Sequence, residues 1–343
     1  MKQTLSLIQP DDWHIHLREG NALIHTIADA ARVFARVLVM PNLKQPLIQT
    51  DAVIKYRQTI LSHSTIETFA PWMTLYLTDT TSPEEIHKAK KAGYILSAKL
   101  YPVGVTTHSQ NGIHSLKKLY PVFEQMQQDN LVLNIHGEVA NPLCDIFERE
   151  TSFIRDELSP LIKNFPRLRI TLEHISTQYA VEFIQQAPTH VAATITPHHL
   201  WLNRNDLLSG GIKPHYYCLP ILKTSDDQKA LIQAAISGNP KFFLGSDSAP
   251  HAVGQKISSC GCAGIYNAPV ALPLCATIFE KADAMDKLEN FTSRFGAEFY
   301  TLSLNTTSIT LQKKHWTVPE QLPFGDDWVI PLCAGETLPW SLC

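Results

Sequence analysis

Eight short apolar runs, each ending in polar residues, constrain this 343-residue chain more than any other feature. They cover residues 5–17, 35–41, 72–78, 95–101, 131–137, 169–175, 191–197 and 242–246. Most are followed by a stretch of helical character, namely 46–61 after Asn42, 82–92, 113–127 and 225–236. In 82–92, Ser82 is placed to cap the helix and Pro83 to open its first turn. Short buried strands alternating with helices imply a parallel sheet with right-handed crossovers. Eight such units in this length fit a closed (β/α)8 TIM barrel, with a doubly wound open sheet as the competitor. The expected organisation is one domain over residues 1–343.

In a barrel of this kind the working residues sit at the C-terminal ends of the strands and in the loops beyond. The first run carries Asp11-Asp12-Trp13-His14-Ile15-His16-Leu17-Arg18. Residues i and i+2 of a strand share a face, so His14 and His16 make half a metal site with the Arg18 guanidinium alongside. The second run ends at Asn42, the fourth at Lys99, the fifth at His136, the sixth at His174 and the eighth at Asp247, with His251 in the loop beyond. Singly, each has a plain structural explanation: a core histidine, a snorkelling lysine, an aspartate that begins a turn. Jointly, four histidines, a lysine and an aspartate on one rim point to a binuclear metal centre.

Composition narrows the alternatives. The net charge of −3, with no run of five like charges, argues against a nucleic acid or membrane surface as partner. No stretch of 18 apolar residues and no charged-then-apolar leader is seen, so a soluble cytoplasmic protein is expected. Seven cysteines, an odd number, fit reduced thiols there. Fifteen histidines are the one compositional excess.

Several segments together resemble the dihydroorotases, and among them the shorter bacterial class of the amidohydrolase superfamily. They are Pro10 to Arg18, Met40-Pro41-Asn42, Ala98-Lys99-Leu100-Tyr101-Pro102, His136-Gly137-Glu138 and Glu173-His174-Ile175. Tyr217 to Lys223, Leu244 to His251 and Ser259-Cys260-Gly261-Cys262-Ala263-Gly264 complete the set. The likeness runs from about residue 8 to about 300. Beyond it, 334–340 fits a C-terminal tail packing back on the barrel.

The resemblance implies reversible closure of N-carbamoyl-L-aspartate to dihydroorotate with loss of water, in pyrimidine biosynthesis. It implies two zinc or other divalent ions sharing a hydroxide, one on His14, His16, Lys99 and Asp247 and the other on Lys99, His136 and His174. An ammonium has no lone pair to give, but burial frees the amine, and in this family it adds carbon dioxide to become a carbamate. Asp247 then serves as general base and acid. Arg18, Asn42 and His251 hold the substrate carboxylate, and the backbones of Leu219 and Ala263 hold the ring amide.

The polar loop 106–112, with Thr106 and Thr107 paired and Gly112 at its end, reads as a lid over the substrate; His108 has no assigned role. A homodimer is the family expectation. Cys218, Cys260 and Cys262 lack a Cys-x-x-Cys pair and read as structural thiols. Two other readings compete. A hydantoinase or dihydropyrimidinase would not need the carboxylate clamp of Arg18 and Asn42, and a catalytically dead scaffold would not keep the whole ligand set.

Overall fold

A computed structural model of the protein describes residues 3–343. Its strands in chain order are β1 (Thr4–Ile8), β2 (Asp11–Ile15), β3 (Arg36–Val39), β4 (Ala70–Tyr76), β5 (Ile95–Leu100), β6 (Val132–His136), β7 (Ile170–Glu173), β8 (Val191–Ile195), β9 (Phe242–Leu244), β10 (Ser308–Thr317), β11 (Leu322–Phe324), β12 (Asp327–Val329) and β13 (Thr337–Leu342). Strands β2 to β9 form one parallel eight-stranded sheet in unbroken chain order. The ends meet through Asp247 N donating to His14 O (2.8 Å) and His16 N donating to Ser248 O (3.1 Å). Chain order together with this closure makes a (β/α)8 barrel and removes the doubly wound alternative, whose strand order would reverse.

The first expected strand divides in two. Pro10 has no N–H for a ladder, and Gln9 N turns aside to Thr307 O (2.9 Å). Residues before this break form β1, which joins β10 and β13 in an antiparallel three-stranded sheet outside the barrel. This sheet, with the β11–β12 hairpin, is the form the C-terminal tail takes. Trp340 on β13 is buried and donates its indole N–H to Glu280 (3.1 Å) on helix Ala271–Lys281.

The helices follow the expected positions with two shifts. Ser82 accepts from Glu85 N ahead of Pro83–Lys91, as read. Helix Thr50–His63 begins four residues later than 46, because Thr50 N and Oγ1 both bind Glu85 Oε1 (2.5 Å each) and so satisfy its first turn. Segment 113–127 resolves into a 3₁₀ turn, Leu116–Leu119, and an α-helix, Tyr120–Asp129.

The barrel floor and the barrel mouth are built differently. At the floor, Trp13, Leu38, Met40, Val132, Ala192, Phe243, Ala297 and Tyr300 pack as one apolar cluster. Each large side chain buried there contributes about 1.5–3 kcal/mol. Trp13 stacks on Tyr300 at 4.5 Å, and Gly296 lies so close that a Cβ would stand 1.9 Å from Trp13 Nε1. Above the floor the register sets Tyr76, Lys99, Asn134 and Thr171 side by side, then His136 beside Glu173. Among the described residues, no helix is long and apolar enough to cross a membrane.

Candidate metal and substrate site

Strand β2 shifts register between Asp12 and Ile15. Trp13 joins the floor cluster while His14 reaches Glu173 and Asp247. The i, i+2 spacing does bring His14 and His16 together, with their Nε2 atoms 3.2 Å apart. Asp247 Oδ1 lies 3.3 Å from His14 Nε2 and 3.1 Å from His16 Nε2. Thus two imidazole nitrogens and a carboxylate oxygen converge on one point. The His174 ring continues the series 5.0 Å from that of His14, and the His136 ring lies 4.7 Å beyond it. All five residues line one cavity with Arg18, Asn42, Thr106, Thr107, Leu219 and Ala263. Lys99 lies beneath it, fully buried, and His251 beside it in a second, more open cavity that Arg18, Asn42 and Thr107 share.

Charge explains the state of each ligand-type residue. Burial disfavours an imidazolium at His14, but the carboxylates of Glu173 and Asp247 outweigh it and raise the pKa to about 9. For His16 burial prevails, and the pKa falls to about 4. His174 is held well below the usual histidine range, chiefly by burial, and its Nδ1 is buried without a hydrogen-bond partner. Burial would raise Asp247, yet the histidines around it keep the carboxyl ionised well below the usual range.

A divalent cation fits this donor set. Neutral nitrogens and a carboxylate oxygen are ligand types zinc accepts, and the proton favoured on His14 is one that a metal would displace. His136 Nε2 donates to Glu138 (2.6 Å), which fixes the tautomer and leaves Nδ1 as the nitrogen with a free lone pair.

Lys99 Nζ is hydrogen-bonded to Glu173, and both are inaccessible to solvent. Burial pushes the Lys99 amine below its ordinary pKa against the pull of Glu173. Glu173 also accepts from Asn134 (2.8 Å), which accepts in turn from Tyr300 OH (2.9 Å). A polar column therefore runs from the floor to the site.

Around the mouth, Arg18 Nε donates to Pro250 O (2.9 Å), and its Nη2 lies 3.1 Å from His251 Nε2. His251 Nε2 also faces Ala263 O (3.0 Å), and burial lowers its pKa to about 2, so the neutral ring serves one of these partners at a time. The loop after β5 is docked. Asn42 Nδ2 donates to Thr107 O (3.1 Å), Thr107 Oγ1 to Ala263 O (3.3 Å), and His108 Nδ1 to Asn42 O (3.3 Å). His108 therefore has a contact where the sequence offered it no role.

Arg18, His174 and Asp247 all hold a left-handed backbone (φ 64°, 44° and 45°) that non-glycine residues rarely adopt. Such strain concentrates where geometry is fixed for function.

Sequence reasoning missed four residues. Glu173 and Glu138 hold ligand-type side chains. Asp12 accepts from Ser246 N (2.7 Å) and His14 N (3.1 Å), tying the first and last barrel strands. Lys256 is buried among backbone carbonyls. The available signal was a charged residue inside an apolar run, used for Lys99 and left unused for Glu173 and Asp12, whereas Glu138 and Lys256 lie outside the runs.

No family model matches the chain. Over 339 residues it is 57% identical to a dihydroorotase of Coxiella burnetii, covering 98% of this chain and 97% of the relative. A solved dihydroorotase from Campylobacter jejuni superposes with a TM-score of 0.92 at 35% identity, covering 100% of this chain and 98% of the other. One from Saccharomyces cerevisiae, in complex with 5-fluoroorotic acid, gives 0.91 at 35% identity over 99% and 98%. Fold and mouth together define a metal-dependent (β/α)8-barrel cyclic amide hydrolase. Within that class the chain belongs to the dihydroorotase family. Its reaction is the reversible cyclisation of N-carbamoyl-L-aspartate to dihydroorotate in pyrimidine biosynthesis.

Proposed function

We propose that the dihydroorotase reaction is run here by a binuclear centre, one divalent ion on His14, His16, Lys99 and Asp247 and the other on Lys99, His136 and His174. Zinc is the expected metal, with Lys99 carrying a carbamate derived from carbon dioxide. The observation that carries this reading is the convergence of His14 Nε2, His16 Nε2 and Asp247 Oδ1 within 3.1–3.3 Å in a buried mouth. A carbamate would replace the Lys99 cation by an anion beside Glu173 and Asp247, an arrangement that only bound cations make tolerable. When bound, two such ions supply a low-pKa water and polarise the ring carbonyl.

The chain's own groups do the rest. Asp247 Oδ1 faces the imidazoles, which leaves Oδ2 to take a proton in hydrolysis and return it to the leaving nitrogen. In cyclisation the proton moves the other way. Arg18 can grip the substrate carboxylate with two parallel hydrogen bonds, with Asn42 and His251 beside it. The ligand named for the yeast relative, 5-fluoroorotic acid, is an acid of matching chemistry. Leu219 and Ala263 offer backbone groups to the ring amide, and Thr106 and Thr107 cover it.

The same reading makes the subunit one domain over 1–343, supported by β1 pairing with β10, and a cytoplasmic homodimer acting on a small molecule. Metal analysis with electron density at the tip of Lys99 tests the centre. Exhaustive chelation should abolish activity and zinc restore it, while full turnover in metal-free protein would sink the reading. Turnover of N-carbamoyl-aspartate and not of hydantoin tests the carboxylate clamp.

A further inference from the structure

Behind the wall of the cavity, Lys256 lies at the end of the short helix Val253–Lys256 and is only 4% exposed. Its ammonium donates to three backbone carbonyls, Tyr217 O at 2.8 Å, Cys262 O at 3.0 Å and Gly264 O at 2.7 Å. Among the described residues no carboxylate takes part, so the charge is held by peptide dipoles from two separate loops. Those loops also meet directly, through Gly264 N donating to Tyr217 O (3.0 Å).

The carbonyl directions matter. Cys262 O and Gly264 O both turn back to Lys256, whereas Ala263 O, between them, turns forward to Thr107 Oγ1 and His251 Nε2 at the cavity. The carbonyls on either side of Ala263 O are thus held on the face opposite to it, so fixing the outer two constrains the middle one. Gly264 supports this turn, with φ at 145° and no room for a Cβ, which would stand 2.5 Å from Ala249 O. The Cys-Gly-Cys-Ala-Gly segment is thus shaped for its backbone rather than for its thiols.

We infer that Lys256 is a positioning residue, which holds the 217–219 and 262–264 loops from behind and turns the Ala263 carbonyl and the Leu219 backbone toward the substrate ring. The inference rests on the reading that these two backbones face the substrate. The hydrogen bonds of Lys256 go to these three carbonyls and to none of the expected metal ligands, so its loss should be read in binding and loop order.

The test uses the metal-loaded enzyme with Lys256→Ala and Lys256→Gln, the second keeping an amide donor should the first fail to fold. Expected are metal content equal to the parent's, a KM for dihydroorotate raised by about 10–100-fold with a smaller change in kcat, and faster backbone hydrogen exchange in 217–219 and 262–264. Propylammonium added to Lys256→Ala should partly restore KM. Unchanged exchange in both segments overturns the role. Faster exchange with unchanged KM overturns it too, and places the fault in the ring contacts of Leu219 and Ala263. An Arg18→Ala control that still raises KM then shows that the rest of the site reading stands.

Discussion

Among the described residues two buried clusters of ligand-type side chains stand out, His14, His174 and Asp247 in one and His198, His199 and Cys218 in the other. In each, the candidate atoms fall within 4.8 Å of one another. Proximity does not separate them; what their polar atoms are already doing does. In the second cluster His199 Nδ1 accepts from Thr196 Oγ1 (2.8 Å) and Nε2 donates to Pro220 O (3.0 Å). The Cys218 thiol donates to Pro220 O (3.3 Å), and His198 Nδ1 accepts from Asn267 (3.0 Å). Only His198 Nε2 is left over, and no carboxylate belongs to the group.

His14 alone shifts opposite to the buried histidines of the second cluster, since His16 and His174 beside it are lowered as His199 is. Burial takes His199 down to about 4, while Glu173 and Asp247 overcome the same burial at His14 and raise it to about 9. Negative charge that favours a proton on a buried imidazole is the same charge that favours a metal ion in its place. Ligand residue types are therefore necessary but not sufficient. The mark of the first cluster is acceptor atoms facing one another with anions behind them.

The comparison breaks most sharply at Lys99. An ordinary buried lysine paired with Glu173 would, on truncation, cost stability and leave the histidines and Asp247 to hold metal. A carbamate shared by two ions would take a ligand from each. Lys99→Ala is expected to be nearly inactive and metal-poor by elemental analysis, with acetate or propionate plus zinc recovering part of the activity. A variant keeping two metals and parental turnover without added acid would end the bridging reading.

Next in size is Arg18. Removing it leaves the substrate anion unpaired and should cost about 2–5 kcal/mol in kcat/KM. Arg18→Lys should restore only part, because a point charge lacks the fork; a lysine variant equal to the parent would refute two-point binding. Metal content should hold in both, since Arg18 bonds to Pro250 and His251 and not to the expected ligands.

A smaller effect belongs to the docked loop. Replacing Thr106 and Thr107 by alanine should lower kcat/KM about 10²-fold with metal content at the parental value. Equal loss of metal would make 106–112 a structural segment rather than a lid.

Much of this layout could be read from the chain, because strand ends and metal ligands are local signals. His14, His16, Asn42, Lys99, His136, His174 and Asp247 stand at the ends of their runs, and barrel topology carries such ends to one rim. What could not be read was contact between runs. Glu173 meets Lys99 and His14 only because β5, β7 and β2 curve into one barrel. Lys256 reaches its three carbonyls from loops that no periodicity relates to it. The break of residues 5–17 at Pro10 was visible, but its consequence, a strand exchanged for one in the C-terminal sheet, depends on residues 300 positions away.

The second cluster supplies the smallest and most discriminating test. Cys218→Ser keeps a hydroxyl donor for Pro220 O, so it should cost no more than about 1.5 kcal/mol of stability, read as a small fall in Tm. His199→Ala leaves Thr196 and Pro220 O without their partner and should cost about 1–3 kcal/mol. Both variants should carry the parent's full complement of metal, because no metal ligand is removed. The thiol gives an independent check. Burial pushes Cys218 up to about 12, so at pH 8 it stays a neutral, inaccessible thiol, whereas Cys260 lies exposed. Iodoacetamide should therefore label Cys260 readily and Cys218 only after unfolding, whether or not zinc is supplied. Zinc-dependent protection of Cys218, or a metal deficit in His199→Ala approaching that of Lys99→Ala, would show that the second cluster binds metal after all and that satisfied hydrogen bonds do not keep a cation out.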